Sequence, residues 1–162
     1  NQSINMSFQQ KVILNNIQPL DVIRSFHDHS FVEFLISGQP VKINTWKGID
    51  DNKKASFSFW FFGWKKMNVI HKNYRVTRNN LSFEDCGTQL PFGLSDWKHE
   101  HVVRPYGNGS IIEDNVTMDR SSFVKKYFIY PIMLFPIIIR RITYKVWFYF
   151  LEGKKWSSFK AS

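Results

Sequence analysis

From Val41 to Met118 the chain repeats one pattern: β-branched and aromatic residues alternate with polar ones, in runs separated by turn-forming pairs. Val41, Ile43 and Thr45 alternate with Lys42, Asn44 and Trp46, and Phe57, Phe59 and Phe61 with Ser56, Ser58 and Trp60. A period of two places alternate side chains on opposite faces of a strand, so these runs predict half-buried strands. Met67 to Arg78 and Leu81 to Cys86 continue the series, with Asn79-Asn80 as a hairpin turn. Asp96 to Pro105 and Ser110 to Met118 follow, joined by Gly107-Asn108-Gly109, residues that tolerate positive φ. Sequential strands joined by tight turns make an antiparallel sheet, and its apolar face needs a cover.

The flanking segments supply that cover. Phe8 to Leu14 reads as a first strand, and Pro19 stands where a helix begins, with Asp21 in its first turn. Leu20, Ile23, Phe31, Phe34 and Leu35 suit two short helices, broken near His27-Asp28-His29 and stopped by Gly38 and Pro40. Ser121 or Ser122 caps a last helical stretch that runs to about Leu151 and is kinked by Pro131 and Pro136. This stretch is apolar nearly all round, so something broad must clasp it. The expected architecture is α+β: a curved antiparallel sheet of about six to seven strands wrapped on a long C-terminal helix, enclosing a cavity. At 162 residues, without repeat or linker, the expectation is a single domain over 1–162.

Composition narrows the function. Lys plus Arg number 22 against 13 for Asp plus Glu, a net charge of +9 that favours acidic partners. The basic residues fall in scattered pairs, which reads as a solvated surface. Trp46, Trp60 and Trp64 are able to stack bases, yet no RNP-like motif accompanies them, and no nucleic-acid partner is expected. P-loop, G-x-G-x-x-G, G-x-S-x-G and H-E-x-x-H motifs are absent, which excludes the enzymes that carry them. The single Cys86 closes no disulfide within the chain and forms no cysteine zinc cluster. With no charged n-region and apolar run in Asn1 to Phe8, the expected compartment is the cytoplasm. Tyr127 to Ile139 is uncharged for 13 residues, short of the ~20 that span a bilayer. The pairs Lys125-Lys126 and Arg140-Arg141 around it suit peripheral contact with an anionic membrane.

One stretch resembles a known family. Leu90-Pro91-Phe92-Gly93, Trp97-Lys98-His99-Glu100-His101, Gly107-Asn108-Gly109-Ser110 and Ile112-Glu113-Asp114-Asn115-Val116 resemble the START-like SRPBCC superfamily, which includes polyketide cyclases and lipid-transfer proteins. The likeness is to the branch with a W-x-H-x-H strand followed by a D-x-V strand. Gly63-Trp64 and Phe83-Glu84-Asp85 also look like that branch. The match is best over Gly63 to Val116. The loop from Phe92 to Trp97 is longer than usual in the family, and Ser121 stands where relatives carry Pro. The resemblance implies a helix-grip fold that binds a hydrophobic or amphipathic small molecule or lipid, with no cofactor and, in most of the branch, no established catalysis.

The same residues carry the candidate site. Trp97, His99, His101 and Val103 share one strand face, and Ile112, Asp114, Val116 and Met118 share the inward face of the next. Pairing through the glycine turn is expected to set Asp114 level with Val102, diagonal to His101. Three roles are open to this set: a hydrogen-bonded cluster fixing sheet and helix, polar fixtures of an apolar pocket, or an acid–base pair of a cyclase or hydrolase. His99, His101 and Asp114 also share a face as metal ligands do, but without a fourth ligand no metal is expected. The ligand-binding set is therefore Phe59, Met67, Trp97 and Ile138 as apolar walls, with His99, His101 and Asp114 as polar fixtures. No catalytic residue is assigned, and the oligomeric state is not legible.

Overall fold

The alternating runs form a seven-stranded antiparallel sheet in the order β1-β7-β6-β5-β4-β3-β2. The computed structural model describes residues 5–119 and 124–151. The strands are β1 (Met6–Leu14), β2 (Val41–Trp46), β3 (Lys54–Trp60), β4 (Trp64–Val76), β5 (Leu81–Gln89), β6 (Trp97–Tyr106) and β7 (Gly109–Met118). Two short helices, α1 (Pro19–Phe26) and α2 (His29–Ile36), follow β1. The C-terminal helix closes the fold with α3 (Tyr130–Ile138) and α4 (Arg140–Val146), flanked by wider π-helical turns at Lys125–Ile129 and Trp147–Leu151. This is the helix-grip, START-like architecture that the sequence predicts. Among the described residues no helix is long and apolar enough to cross a membrane.

Local chemistry accounts for the breaks. Asp28 accepts a hydrogen bond from the Ser30 N–H at 2.9 Å, capping α2 and separating it from α1. Thr77 N–H donates to Asn80 O at 2.8 Å, which closes the expected β4–β5 hairpin. At the start of β7, a Cβ on Gly109 would stand 2.1 Å from Leu14 O, so β1 approaches only because the residue is glycine. Asn73 takes positive φ (54°) within a register shift of β4 against β5, a bulge that the alternation does not reveal.

The prolines act as expected, one at the start of α3 and one within it. Pro131 has no N–H to donate, and just before it the helix widens, with Tyr130 N–H reaching back to Lys125 O. Pro136 lies inside α3, and the helix breaks at Ile139. The expected caps, Ser121 and Ser122, lie outside the described residues. The helix is not clasped all round: Phe128, Phe135, Ile142 and Phe150 are exposed while Tyr130, Met133, Ile137, Tyr144 and Trp147 are buried. A curved sheet covers only one side of a helix.

The apolar interior falls into two clusters. One gathers Val22, Phe26, Phe31 and Leu35 of the short helices with Phe83, Val103, Tyr144 and Trp147. The other gathers Phe59, Met67, Val69, Trp97 and Met118 of the sheet with Tyr130, Met133, Leu134 and Ile137 of α3. Trp46 packs against both.

Candidate functional site

Two neighbouring rungs of the sheet place charge inside. His71 pairs with Asp85, and Asp85 with His99; one rung along, Phe83 pairs with His101, and His101 with Asp114. Asp114 therefore stands level with His101 and not with Val102, because the β6–β7 turn is one residue tighter than expected: Tyr106 pairs directly with Gly109. Each histidine then reaches the carboxylate diagonal to it. His99 Nε2 lies 2.8 Å from Asp114 Oδ1, and His101 Nε2 lies 2.8 Å from Asp85 Oδ2. The two imidazole rings lie over each other with centroids 3.8 Å apart.

The C-terminal helix completes this cluster. Arg140 and Tyr144, one turn apart on α4, both turn to Asp114: Arg140 Nη1 is 3.3 Å from Oδ1, and the Tyr144 hydroxyl donates to Oδ2 at 3.1 Å. Beside them Gln10 of β1 donates to Ile137 O at 2.8 Å and accepts from Arg141 Nε at 2.7 Å, tying the sheet to the helix where it breaks. His71 Nε2 lies 2.9 Å from Asp85 Oδ1, and its Nδ1 is 3.0 Å from Lys53 O.

Burial and these partners set the charges. Burial alone would raise the Asp114 carboxyl, but His101, His99 and Arg140 hold it far below the ordinary carboxylate range. Burial likewise opposes ionisation of Asp85, and His101 and then His71 bring it well below its usual value. Burial and the neighbouring His101 charge lower His99 to about 4, against the pull of Asp114. For His101 burial is outweighed by Asp85 and then Asp114, so its pKa is raised. Two carboxylates thus face a guanidinium, an imidazole whose charged form they favour, and in His99 one whose neutral form burial favours. This balance is what allows so much charge inside.

Two of the open spaces border the cluster or the C-terminal helix. A chamber of about 50 Å³ touches the cluster, between Phe26, Phe31, Trp46, His71, Asp85, His101 and Arg140. A cleft of about 440 Å³ lies between the β2–β3 edge and α3, lined by Val41, Phe59, Phe61, Pro131, Ile132 and Phe135 among others. Its walls are almost wholly apolar.

Of the residues singled out from sequence, His99, His101 and Asp114 are brought together as one buried cluster. Phe59 lines the large cleft, while Met67 and Trp97 lie behind it in the same apolar cluster. Ile138 is 40% exposed and lines neither space, because the turn of α3 directs Met133, Leu134 and Ile137 inward instead. Sequence reading missed Asp85, His71, Arg140 and Tyr144. Asp85 is in phase with Leu81 and Phe83, and His71 with Met67 and Val69, so the alternation already marks both as inward. Arg140 and Tyr144, at i and i+4, share a helix face.

No protein-family description matches this chain, and no curated protein does. Solved structures do match. KanY in solution shares 16% identity over 88% of this chain and 92% of its own, with a TM-score of 0.59. Ms6760 from Mycobacterium smegmatis shares 7% over 87% and 88%, with a TM-score of 0.60. Norcoclaurine synthase from Thalictrum flavum, in complex with dopamine and hydroxybenzaldehyde, shares 14% over 88% and 85%, with a TM-score of 0.58. At these identities the likeness is one of fold.

Proposed function

We propose that this chain is a single ligand-binding unit of the START-like type, which holds a hydrophobic or amphipathic small molecule in the cleft between β3 and α3. The observation that carries this reading is the cleft itself. Its volume of about 440 Å³ lies in the range of small-molecule sites (about 300–1,000 Å³), and its walls offer an apolar body everything except polar partners. The resemblance to lipid-transfer relatives supports it, as does the helix-grip neighbour that holds two small aromatic molecules. His99, His101 and Asp114 serve the ligand through the helix: Asp114 pins Arg140 and Tyr144 on α4, and so fixes the wall that the preceding α3 presents. The chamber beside His101 has room for about one water, whose share of liquid volume is about 30 Å³, so no headgroup reaches these side chains directly.

The test is native mass spectrometry of the freshly purified protein, with solvent extraction of whatever is bound. A reproducible excess mass that vanishes on denaturation, and that is absent from the cleft-filling variant Ile132→Trp, is the expected result. A ligand retained by Ile132→Trp would place binding elsewhere.

A second reading concerns where such a ligand is collected. At the rim of the cleft the β3–β4 hairpin carries Trp60-Phe61-Phe62-Gly63-Trp64-Lys65-Lys66. Trp60 and Trp64 pair across it, and Phe62 stands at its tip, 85% exposed and at positive φ (49°). Lys42 Nζ lies 4.1 Å from the Trp64 ring centroid. Exposed Trp and Phe ringed by lysines, on a chain of charge +9, suit the headgroup layer of an anionic bilayer. Flotation with anionic vesicles at low salt, lost in Phe62→Asn, supports this reading. Equal binding to neutral vesicles, or displacement of the vesicles by single-stranded RNA, counts against it.

A further inference from the structure

The geometry points to a metal site inside the buried cluster: we propose that His99 Nδ1, His101 Nε2 and a carboxylate oxygen of Asp85 together ligate one divalent transition-metal ion of the zinc class. The site shares no residue with the apolar cleft, so it stands or falls independently of the small-molecule reading.

The donors are close enough. One ligand atom from each of the three residues lies within 4.8 Å of the others. Asp85 Oδ2 is 2.8 Å from His101 Nε2 and 3.9 Å from His99 Nδ1. Donors bonded at about 2.0–2.1 Å in a tetrahedral site stand roughly 3.3 Å apart, a spacing these two distances bracket. The ion takes the place of the proton that His101 shares with Asp85.

The surroundings are those that metal-bound histidines require. A ligating imidazole donates its other N–H to a carboxylate or carbonyl, which fixes its tautomer and aims its lone pair. Asp114 Oδ1 provides this for His99, 2.8 Å from its Nε2, and stands 3.4 Å from His101 Nδ1, within reach of a small turn of that ring. On the other side His71 braces the Asp85 carboxylate at 2.9 Å, and is itself held by Lys53 O at 3.0 Å.

There is also room and a way in. Three protein ligands leave a tetrahedral position open, and the chamber of about 50 Å³ that Asp85 and His101 line accommodates one water there. The Asp85 side chain keeps 17% of its surface exposed, which gives the ion a path. Two imidazoles and one carboxylate favour zinc, cobalt or ferrous iron over magnesium and calcium, which select oxygen ligands. Arg140 shares Asp114, so the charge of the ion is met chiefly by Asp85.

The experiment titrates the purified full chain, stripped with chelator, with Co²⁺ and follows the visible d–d bands, then displaces the cobalt with Zn²⁺. Expected are bands of tetrahedral intensity that saturate at one equivalent. They should be lost in His101→Gln, and weakened in affinity roughly 10–100-fold in His71→Gln, as for other residues that brace a ligand. They should be unchanged in the surface double variant His27→Gln/His29→Gln. No band at one equivalent overturns the proposal, and so does a band that disappears only in the double variant. His101→Gln removes a partner from a buried carboxylate, so the wild type supplies a measurement that does not depend on its folding. Paramagnetic broadening by Co²⁺ must reach the ring protons of His99 and His101 first; broadening centred on His27 and His29 overturns the assignment.

Discussion

Around Asp114 the interior has charge and almost no room, whereas between β3 and α3 it has room and no charge. The first region joins four strands and α4 through direct contacts of about 3 Å between ionised or polar groups. The second is bounded by proline, aromatic and aliphatic side chains. Trp46 packs against the apolar cluster on either side. The difference teaches how such a fold divides its tasks. Directional bonds hold the helix at a fixed place on the sheet, and the shapes that this leaves unfilled form the cleft. A polar group in the cleft would need a partner from the ligand; a void in the cluster would leave a charge unpaired.

The sharpest way to break the comparison is Asp114→Ala. It removes the shared acceptor of His99, Arg140 and Tyr144 and leaves a buried cation unpaired, a change that costs about 3–5 kcal/mol in other proteins. Urea denaturation should show a loss of that size; a loss below about 1 kcal/mol would mean that the cluster does not fasten the helix. Tyr144→Phe deletes a single hydroxyl and its bond to the carboxylate, so a smaller loss of about 1–2 kcal/mol is expected.

A third test uses pH at the start of the C-terminal helix. Burial would raise the Asp119 carboxyl, but Lys125, at 3.0 Å, and the backbone and side chain of Ser95 hold it below its usual value. A carboxyl lowered in the folded state contributes stability that is present above its unfolded pKa of about 3.9 and is lost as pH falls through the folded value. Asp119→Asn should therefore remove part of the acid limb of stability below about pH 4 and leave the neutral range parallel to wild type. An unchanged acid limb would dissociate Asp119 from that anchor.

The cleft should respond in the opposite way. Ile132→Trp is expected to change stability by less than about 1.5 kcal/mol, since the new ring occupies existing space, while abolishing ligand retention. Smallest of all, Phe62→Asn replaces a residue strained at positive φ by one that tolerates it, and should stabilise by a few tenths of a kcal/mol, roughly. Thermal denaturation checks both.

Much of the fold was legible because period-two alternation and turn residues are local signals. Val41, Phe59, His99 and Asp114 announce their faces within a few positions of chain. The paired histidines and Asp114 were legible for the same reason. Asp85 and His71 were passed over because each stands alone in its strand, and only the register across β4, β5 and β6 makes them neighbours of His99. One residue of turn length decided which partner Asp114 meets. The placement of Ile138 went astray because a run apolar on every side carries no phase.

By itself, then, the sequence determined the strands, the short helices, the helix-breaking prolines and, away from bulges, which strand side chains point inward. These follow from hydrophobic period, backbone geometry and the missing N–H of proline, all of which act within a few residues. The tertiary structure alone decided that Asp85, His99, His101 and Asp114 form one checkerboard, that Arg140 and Tyr144 close it, and that the free volume collects beside α3. Those outcomes depend on strand register and on how a broken helix sits against a curved sheet, which are set by the sum of contacts between segments far apart in the chain.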